Sequence, residues 1–382
     1  MDYARLSEER DLLREERRLL AREVPTTMVM QELPTPRTTH LLKRGMYDAP
    51  GEVVQPGVPE TLLGAWPKDA PRNRLGLARW LTQPEHPLTA RVAVNRFWQQ
   101  LFGVGIVKTS DDFGLQGEYP MHPELLDWLA RGFIESGWDT KALLRTLVLS
   151  ATYRQDSTIP PALRERDPEN RLLARGPRVR LPAEQIRDHA LAVSGLLRQR
   201  LGGPSVFPTQ PADLYKGIVV AAKYPSTTWA DSTGDDLYRR SLYTFWKRTV
   251  PYPVLNVFDA PDREFCSVRR SRTNTPLQAL TMMNEPAMVE AGRQRGARML
   301  REGGADDDAR LAFGFRAVTS RPPRPEELAV LSEMLDRFRK DFTADGEGAR
   351  DLLKGTSQDP GQAAYAALGG LLLNLDETVT KN

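Results

Sequence analysis

Basic and aromatic side chains are concentrated between Leu237 and Asn274. This segment carries eight Lys or Arg residues against three acidic ones, a net charge of +5, whereas the whole 382-residue chain carries +3. Guanidinium groups bind carboxylate, sulfate or phosphate through paired hydrogen bonds, and aromatic rings offer stacking surfaces for sugars or bases. The segment is therefore a candidate anion-binding surface. Its candidate ligand-binding residues are Arg239, Arg240, Tyr243, Trp246, Arg248, Arg263, Arg269, Arg270 and Arg272.

The same basic segment also has a structural interpretation. Asp259, Asp262 and Glu264 lie among the arginines and could pair with them, holding loops against a helical core. Ion-pair networks of this kind are common, so the sequence leaves both interpretations open. Nucleic acid is not an expected partner, because no binding motif accompanies the charge and the rest of the chain is slightly acidic.

Five residues between positions 111 and 124 are candidates for acid–base catalysis. Asp111 or Asp112, together with Glu118 or Glu124, could act as acid and base if the chain brings them within the roughly 5–9.5 Å used in glycoside hydrolysis. His122 could serve as a general base. The competing interpretation assigns the acids to capping or solvated positions and His122 to the start of a helix.

Metal and redox chemistry are restricted by the composition. The single cysteine, Cys266, excludes an internal disulfide, a cysteine-based cluster and a covalently attached haem within this chain. Neighbouring arginines would favour a Cys266 thiolate if it were exposed, but the expectation is a buried, inert cysteine. No metal site or cofactor is predicted. The histidines are too far apart in sequence for a zinc motif, at His40, His86, His122 and His189.

The pattern of the chain predicts a mainly α protein. We expect a multi-helix globular core, a Pro-rich extended N-terminal region, a few short strands and long ordered loops. The segments are 1–23, an N-terminal helix that reads as the end of a longer upstream one; 24–71, Pro-rich and extended; 72–200, a helical domain; and 201–382, the basic stretch with C-terminal helices. No apolar run approaches the roughly 18 residues needed to span a membrane.

Several elements near the candidate residues are predicted in detail. A helix over 89–102 should be mostly buried, so its Asn95 and Arg96 should both need partners. The connection over 103–122 is unusually long for a compact helical domain. Another helix is predicted to begin at Pro182 and to run to the glycine pair at 202–203.

Long motifs in this chain resemble a planctomycete-specific C-terminal domain family of unknown function, of the PSD-one type (DUF fifteen-fifty-three). They are NRLGLARWLTQPEHPLTARVAVNRFWQQLFGVGIVKTSDDFGLQGEYPMHPELLDWLA, RLPAEQIRDHALAVSG, RRSLYTFWKRT, FDAPDREFCSVRRSRTNTPLQAL and LLLNLDETVTK. The resemblance extends from TTMVMQE to the C-terminus. It implies that relatives are exported and that haem, where present, lies in a separate cytochrome c domain. It supplies no catalytic residues.

Two functional hypotheses follow. The first is a binding or scaffolding module of an extracytoplasmic protein, with an anionic polysaccharide or complex carbohydrate as ligand and, by resemblance, a cytochrome c domain as partner. The alternative is a carbohydrate-active hydrolase that uses the loop carboxylates and an arginine-rich cleft. Whether the protein is an enzyme stays open. The sequence as written carries no export signal, so this chain would be cytoplasmic if expressed in that form.

Overall fold

The computed structural model describes residues 3–24, 26–210, 229–247 and 251–381. The chain divides into two compact units, Met1–Thr89 and Ala90–Asn382. Helices are the main regular elements, and the described strands form two small two-stranded sheets, which confirms the mainly α class. The four-segment division of the chain stays a prediction. Within the described ranges, no helix combines the length and hydrophobicity needed to cross a bilayer.

The first unit combines exposed helices with one hairpin. Its elements are α1 (Tyr3–Glu23), β1 (Thr39–Leu42), β2 (Pro50–Val54), α2 (Glu60–Leu63) and α3 (Arg74–Leu81). β1 and β2 pair antiparallel, which agrees with the few short strands expected in this Pro-rich region. In α3 the buried residues are Gly76 and Trp80. A Cβ on Gly76 would overlap Pro71 O and the Trp66 ring.

The second unit contains the remaining helices and a second short sheet. Its elements are α4 (Thr89–Phe102, which begins at the last residue of the first unit), α5 (Pro123–Glu135), α6 (Thr140–Leu149), α7 (Pro161–Arg166), β3 (Val179–Arg180), α8 (Ala183–Ser194), α9 (Pro253–Val257), α10 (Pro276–Asn284), α11 (Pro286–Glu302), α12 (Asp307–Thr319), α13 (Pro325–Ala344), α14 (Gly346–Leu352), α15 (Pro360–Leu373), α16 (Asp376–Val379) and β4 (Thr380–Lys381).

Local signals explain where most of these helices begin. The side chain of Asp139 accepts hydrogen bonds from Lys141 N and Ala142 N at the start of α6. Thr275 caps α10 and Asp306 caps α12 in the same way, which satisfies N–H groups that have no partner within a helix. The predicted extension of α8 to residues 202–203 is wrong. That helix ends at Ser194 because Gly195 adopts a left-handed conformation, with φ of +81°.

Two hydrophobic clusters organise the second unit. The smaller one joins α4, α5 and α6, with Trp98 and Leu129 among its buried members. The larger one joins α8 with α9–α13 and α15, where Leu368 and Leu372 are fully buried. α11 and α15 approach so closely that Gly292 and Gly369 lie backbone to backbone.

The structure resolves the partners of the two polar residues predicted on α4. Asn95 is fully buried; its Nδ2 donates to Val107 O at 3.0 Å and its Oδ1 accepts from Val107 N at 2.9 Å. This confirms that Asn95 needed a partner, and the partner is the 103–122 connection. The expectation that Arg96 is buried is wrong, because its side chain lies on the exposed side of the helix.

Arg321 joins three elements at the end of α12. Its guanidinium binds both carboxylate oxygens of Glu327 on α13, at 2.8 and 2.7 Å, and both oxygens of Glu377 on α16, at 2.9 and 2.6 Å. The same group lies over the Phe315 ring, 4.8 Å from its centroid. The hydrogen bonds from Arg321 lower the pKa of Glu327 to about 2.

Replacing Arg321 by methionine is expected to destabilise the protein by about 2 kcal/mol, because two carboxylates lose their bidentate partner and repel each other. Protonation of Glu327 removes the same interaction. The pKa of Glu327 is lowered from its ordinary value of 4.5 to about 2 in the folded protein. Its stabilising contribution is therefore complete above the ordinary pKa and is lost as the pH falls towards the folded-state pKa. Urea unfolding at about pH 7 and about pH 3 measures both effects.

The control for Arg321→Met is Arg131→Met, which removes an exposed pair with Glu135 on one helix. Such pairs contribute under about 0.5 kcal/mol, so its unfolding midpoint should hardly move. Equal effects of the two substitutions, or an Arg321→Met protein with the same acid sensitivity as the parent, would contradict the prediction.

Candidate functional site: an arginine-lined pocket

A polar pocket of about 360 Å³ lies within the second unit, and we call it the arginine pocket. Four of its lining residues are Arg180, Arg269, Arg270 and Arg272. The others are Gln99, Gln100 and Gly103 at the end of α4, Leu181, Pro182 and Ala183 at the start of α8, Phe258 and Asp259 after α9, and Ser271. Three distant parts of the chain therefore bring their guanidinium and amide groups to one cavity.

Arg180 is placed in the pocket by the C-terminal end of the chain. β3 pairs antiparallel with β4, so that Arg180 lies opposite Thr380, and Leu181 N donates to Val379 O at 2.9 Å. The Nε atom of Arg180 is buried and has no hydrogen-bond partner. Burial lowers the pKa of Arg180, and the nearby carboxylates of Asp376 and Asp259 offset part of this effect. Arg180 is thus a partly buried cation without an ion pair among the described residues.

The loop that carries the other three arginines is attached to Asp259. The Asp259 carboxylate accepts from Thr273 N at 2.7 Å and from Thr273 Oγ1 at 2.9 Å. Gln278 Nε2 donates both to Thr273 Oγ1, at 3.1 Å, and to Val257 O, at 3.0 Å. Asp259 itself has a left-handed backbone, with φ of +62°. These bonds hold the backbone at the C-terminal end of the loop, next to Arg272.

The charges of the arginine pocket are not balanced by its own residues. Arg270 forms an ion pair with Glu184 at 2.7 Å. Neither Arg269 nor Arg272 has an acidic partner among the described residues, and burial together with the charge of Arg270 lowers the pKa of Arg272. Among the lining residues, Asp259 is the one acid beside four arginines. The cavity therefore carries an excess of positive charge.

Two neutral features reinforce the preference for an anion. The start of α8 lines the cavity, and the first N–H groups of a helix attract negative charge. The buried Gln99 accepts a hydrogen bond from Ser110 Oγ at 3.1 Å through its carbonyl oxygen, which leaves its amide nitrogen as the atom available to a ligand. Both features favour a negatively charged group at this side of the cavity.

The arginine pocket contains only some of the residues singled out from the sequence. It brings together Arg269, Arg270 and Arg272, whereas Arg239 and Arg240 do not line it. Arg239 is buried; it donates to the carbonyl oxygens of Pro204, Arg200 and Gly202 and stacks on Tyr243 at 4.0 Å. These contacts use Arg239 to hold the fold together.

The remaining residues of the basic segment are tied to other parts of the fold. Arg240 pairs with Asp188 at 3.3 Å. Trp246 donates to Asp262 O at 2.9 Å, and Arg263 lies over its ring. Arg240, Trp246 and Arg263 do not line the arginine pocket. Arg248 lies outside the described residues.

The ion-pair partners differ from those expected. In the described chain, Asp259, Asp262 and Glu264 form no salt bridge with the neighbouring arginines. The acids that do pair with the segment are Glu184 and Asp188, both on α8. Such partners are separated by more than fifty residues, so local sequence could not reveal them.

The catalytic candidates lie apart from the arginine pocket. Asp112 accepts a hydrogen bond from Gly114 N at 2.7 Å in a turn, and Asp111 is exposed. His122 precedes α5 as predicted, but its side chain does not cap the helix; its Nε2 lies 2.9 Å from Arg171 O. Glu124 is in the first turn of α5. None of these residues lines the cavity, and Glu118 does not line it either.

Three contributors to the pocket escaped the sequence interpretation, namely Arg180, Gln99 and Gln100. A signal for Arg180 existed in the basic stretch before Pro182, but nothing local indicates that a strand at the other end of the chain holds it in place. The expectation of a buried Cys266 is wrong, because this thiol is exposed. Within the described residues, no group of three or more His, Cys, Asp or Glu side chains is arranged to hold a metal ion.

The fold and the cavity define a mainly α protein with a basic, polar pocket. The model of PSD1, described as a protein of unknown function (DUF1553), matches residues 73–335, and this chain belongs to that family. The match confirms the DUF1553 family suggested by the motifs, over residues 73–335, and it includes every residue that lines the arginine pocket. No curated protein and no solved structure matches the chain.

Proposed function

We propose that the arginine pocket binds an anionic ligand, and that the protein acts as a binding module. The observation that carries this proposal is the convergence of Arg180, Arg269 and Arg272, none of which has an ion pair among the described residues. Arg180 and Arg272 are partly buried, whereas Arg269 is exposed at the rim. A partly buried cation without a counter-charge is unfavourable, and a bound carboxylate, sulfate or phosphate would offset that cost. Arg270 is already paired with Glu184 and serves mainly to hold the loop.

The size of the cavity favours a small ligand or the end of a larger one. A volume of about 360 Å³ accommodates one acidic or sulfated sugar unit. Arginine side chains would take the acidic group, and the amides of Gln99 and Gln100 would bind hydroxyl groups. We therefore propose an anionic carbohydrate as the ligand class, in an extracytoplasmic protein that is coupled in relatives to a cytochrome c domain.

The hydrolase alternative has less support. A retaining or inverting glycosidase needs two carboxyl groups on either side of the scissile bond. Asp111, Asp112 and Glu124 do not line the cavity, and Asp259, which does, is occupied by Thr273. No observation in the structure favours hydrolysis over binding.

The proposal predicts a selective loss of affinity on removing one guanidinium. Isothermal titration of the parent protein with glucuronate, and with glucose as the neutral match, should give binding of the acid alone. Arg272→Gln should weaken glucuronate binding by at least about tenfold, since a charge-assisted contact is worth roughly 1.5–3 kcal/mol. The affinity for glucuronate should also fall as the salt concentration rises, because the interaction is ionic.

The matched control is Arg96→Gln, which removes an exposed arginine outside the cavity and should leave the affinity unchanged. Loss of binding through misfolding is separated by thermal unfolding. Arg272→Gln should unfold no earlier than the parent, because it removes a partly buried charge that lacks an acidic partner. Equal affinity for glucuronate and glucose, or unchanged affinity in Arg272→Gln, would overturn the proposal.

A further inference from the structure

The segment Val379–Lys381, which we call the β4 strap, holds Arg180 at the arginine pocket. Thr380 lies opposite Arg180 in the two-stranded sheet, and Leu181 N donates to Val379 O at 2.9 Å. Each of the two strands contains only two residues. Segments that are held by few backbone hydrogen bonds are the ones that open locally most easily. The position of Arg180 therefore depends on a short and easily opened contact.

The sheet presents Arg180 and Lys381 to opposite faces. Lys381 lies opposite Val179, and successive side chains of a strand point to opposite sides of a sheet. Arg180 lines the arginine pocket. On the other face, Lys381 Nζ lies 3.5 Å from the centroid of the Tyr153 ring. Lys381 thus contacts the interior of the fold and can affect a ligand only through the position of the β4 strap.

The β4 strap joins the two hydrophobic clusters of the second unit. Val379 is 5% exposed and belongs to the larger cluster. Tyr153, on which Lys381 lies, packs against the smaller cluster, where its ring contacts Phe102 edge to face at 5.4 Å. The apolar end of the strap is therefore firmly packed at Val379, and the contact of Lys381 with Tyr153 is the part that a change of charge can weaken.

The amino group of Lys381 is buried and has no hydrogen-bond partner among the described residues. The titratable group that faces it is the Tyr153 phenol, whose pKa is raised by burial, so that it stays uncharged near neutral pH. The nearby carboxylate of Asp376 pairs with Arg178. An aromatic face attracts an ammonium group but does not replace its hydrogen bonds to water, so burial disfavours the charged form. Burial accordingly lowers the pKa of Lys381 from 10.5 to about 8.

The sign of this effect follows from comparing the docked strap with a detached one. In a detached strap the amine is in water and has its ordinary pKa of 10.5, whereas in the docked strap its pKa is about 8. Docking therefore releases a proton between these two values and becomes more favourable as the pH rises. Below the lower value, docking carries the full cost of burying the charge of Lys381.

We propose that the β4 strap regulates the arginine pocket, and that Lys381 is a positioning residue whose loss of charge fixes the strap and, through it, Arg180. This inference rests on the proposed function, in which Arg180 is one of the unpaired arginines that bind the anion. The acidic group of the ligand contacts Arg180 only while the strap is docked. Anion binding should therefore become tighter as the pH rises from neutral to alkaline values.

Titration with glucuronate at about pH 7 and about pH 9.5 tests this regulation, because carboxylates and arginines keep their charges over that range. The affinity of the parent should rise at least about threefold between the two pH values. Lys381→Met is uncharged at both, so it should bind at each pH with the higher affinity of the parent. Lys381→Arg stays charged at both, so it should bind at each pH with the lower affinity.

Two further proteins separate the strap from general effects of charge. Lys340→Met removes an exposed lysine of α13 and should keep the pH dependence of the parent. Arg180→Gln should bind glucuronate weakly at both pH values. Adding Lys381→Met to Arg180→Gln should give no gain in affinity, because the docked strap then has no guanidinium group to position.

Amide hydrogen exchange at a single pH measures the docking of the strap without a ligand. The Leu181 amide, which donates to Val379 O, should be more protected in Lys381→Met than in Lys381→Arg. Equal protection in these two variants would overturn the inference, as would a gain from Lys381→Met that persists in Arg180→Gln. Glucuronate binding without the pH dependence overturns this inference alone, whereas glucuronate bound no better than glucose overturns the proposed function and this inference with it.

Discussion

Replacing Gly369 by alanine is expected to destabilise the protein by about 3 kcal/mol, whereas the same change at Gly370 should stabilise it by about 0.5–1 kcal/mol. Both residues are in α15, one position apart, and both changes raise helix propensity equally. The opposite signs come from what each new methyl group meets. This pair gives the most direct test of how α11 and α15 pack.

A methyl group on Gly369 has no room. It would overlap the Gly292 carbonyl oxygen and lie 3.0 Å from Gly296 N, both on α11. These obstacles are backbone atoms, so no side-chain rotation can relieve the overlap, and the two helices must separate. The larger hydrophobic cluster, which α15 shares with α11, would lose packing along its length. At Gly370, by contrast, a methyl group meets nothing within 4 Å.

Urea unfolding of the two variants and the parent measures the prediction. The midpoint should fall for Gly369→Ala and rise for Gly370→Ala, with unchanged slopes if the transition stays two-state. A Gly369→Ala protein as stable as the parent would show that α11 and α15 are further apart than described. If Gly369→Ala fails to accumulate, Gly370→Ala alone still tests whether α15 presents open space at that position.

Replacing Asn95 by leucine is expected to cost about 3 kcal/mol, because the buried N–H and C=O groups of Val107 each lose a hydrogen bond. The leucine side chain is similar in size but cannot replace either bond. Val107 belongs to the 103–122 connection, so the loss should appear locally as well as globally. The same connection carries Ser110, which binds Gln99 beside the arginine pocket.

The control is Arg96→Leu, at the neighbouring exposed position. It should change stability by less than about 0.5 kcal/mol. Amide hydrogen exchange gives an independent measurement, since the Val107 amide should lose protection in Asn95→Leu and keep it in Arg96→Leu. Similar losses in both variants, or a protected Val107 amide in Asn95→Leu, would mean that Asn95 does not hold this connection.

The sequence by itself determined where several helices begin and which buried polar residue needs a hydrogen-bond partner. Proline and capping side chains at Asp139, Thr275 and Asp306 act over three or four residues, so helix starts could be located without knowing the fold. The polar Asn95 within an apolar helix also required a buried partner, whatever that partner proved to be. The cluster of Arg269, Arg270 and Arg272 was visible as charge.

Only the tertiary structure decided which groups meet. Arg180 reaches the arginine pocket because β4, two hundred residues later, pairs with β3. Glu184, rather than the acids beside it in sequence, pairs with Arg270. Which glycine of 369–370 faces α11 likewise depends on how two helices cross.

The physical reason is the distance along the chain over which each kind of interaction acts. Capping, proline geometry and hydrophobic periodicity are interactions between residues a few positions apart, and they are written in short stretches of sequence. Ion pairs, cavities and backbone contacts between helices depend on how whole elements pack. The sequence therefore determined a mainly α chain rich in arginine, and packing decided that three of those arginines share one cavity with Arg180.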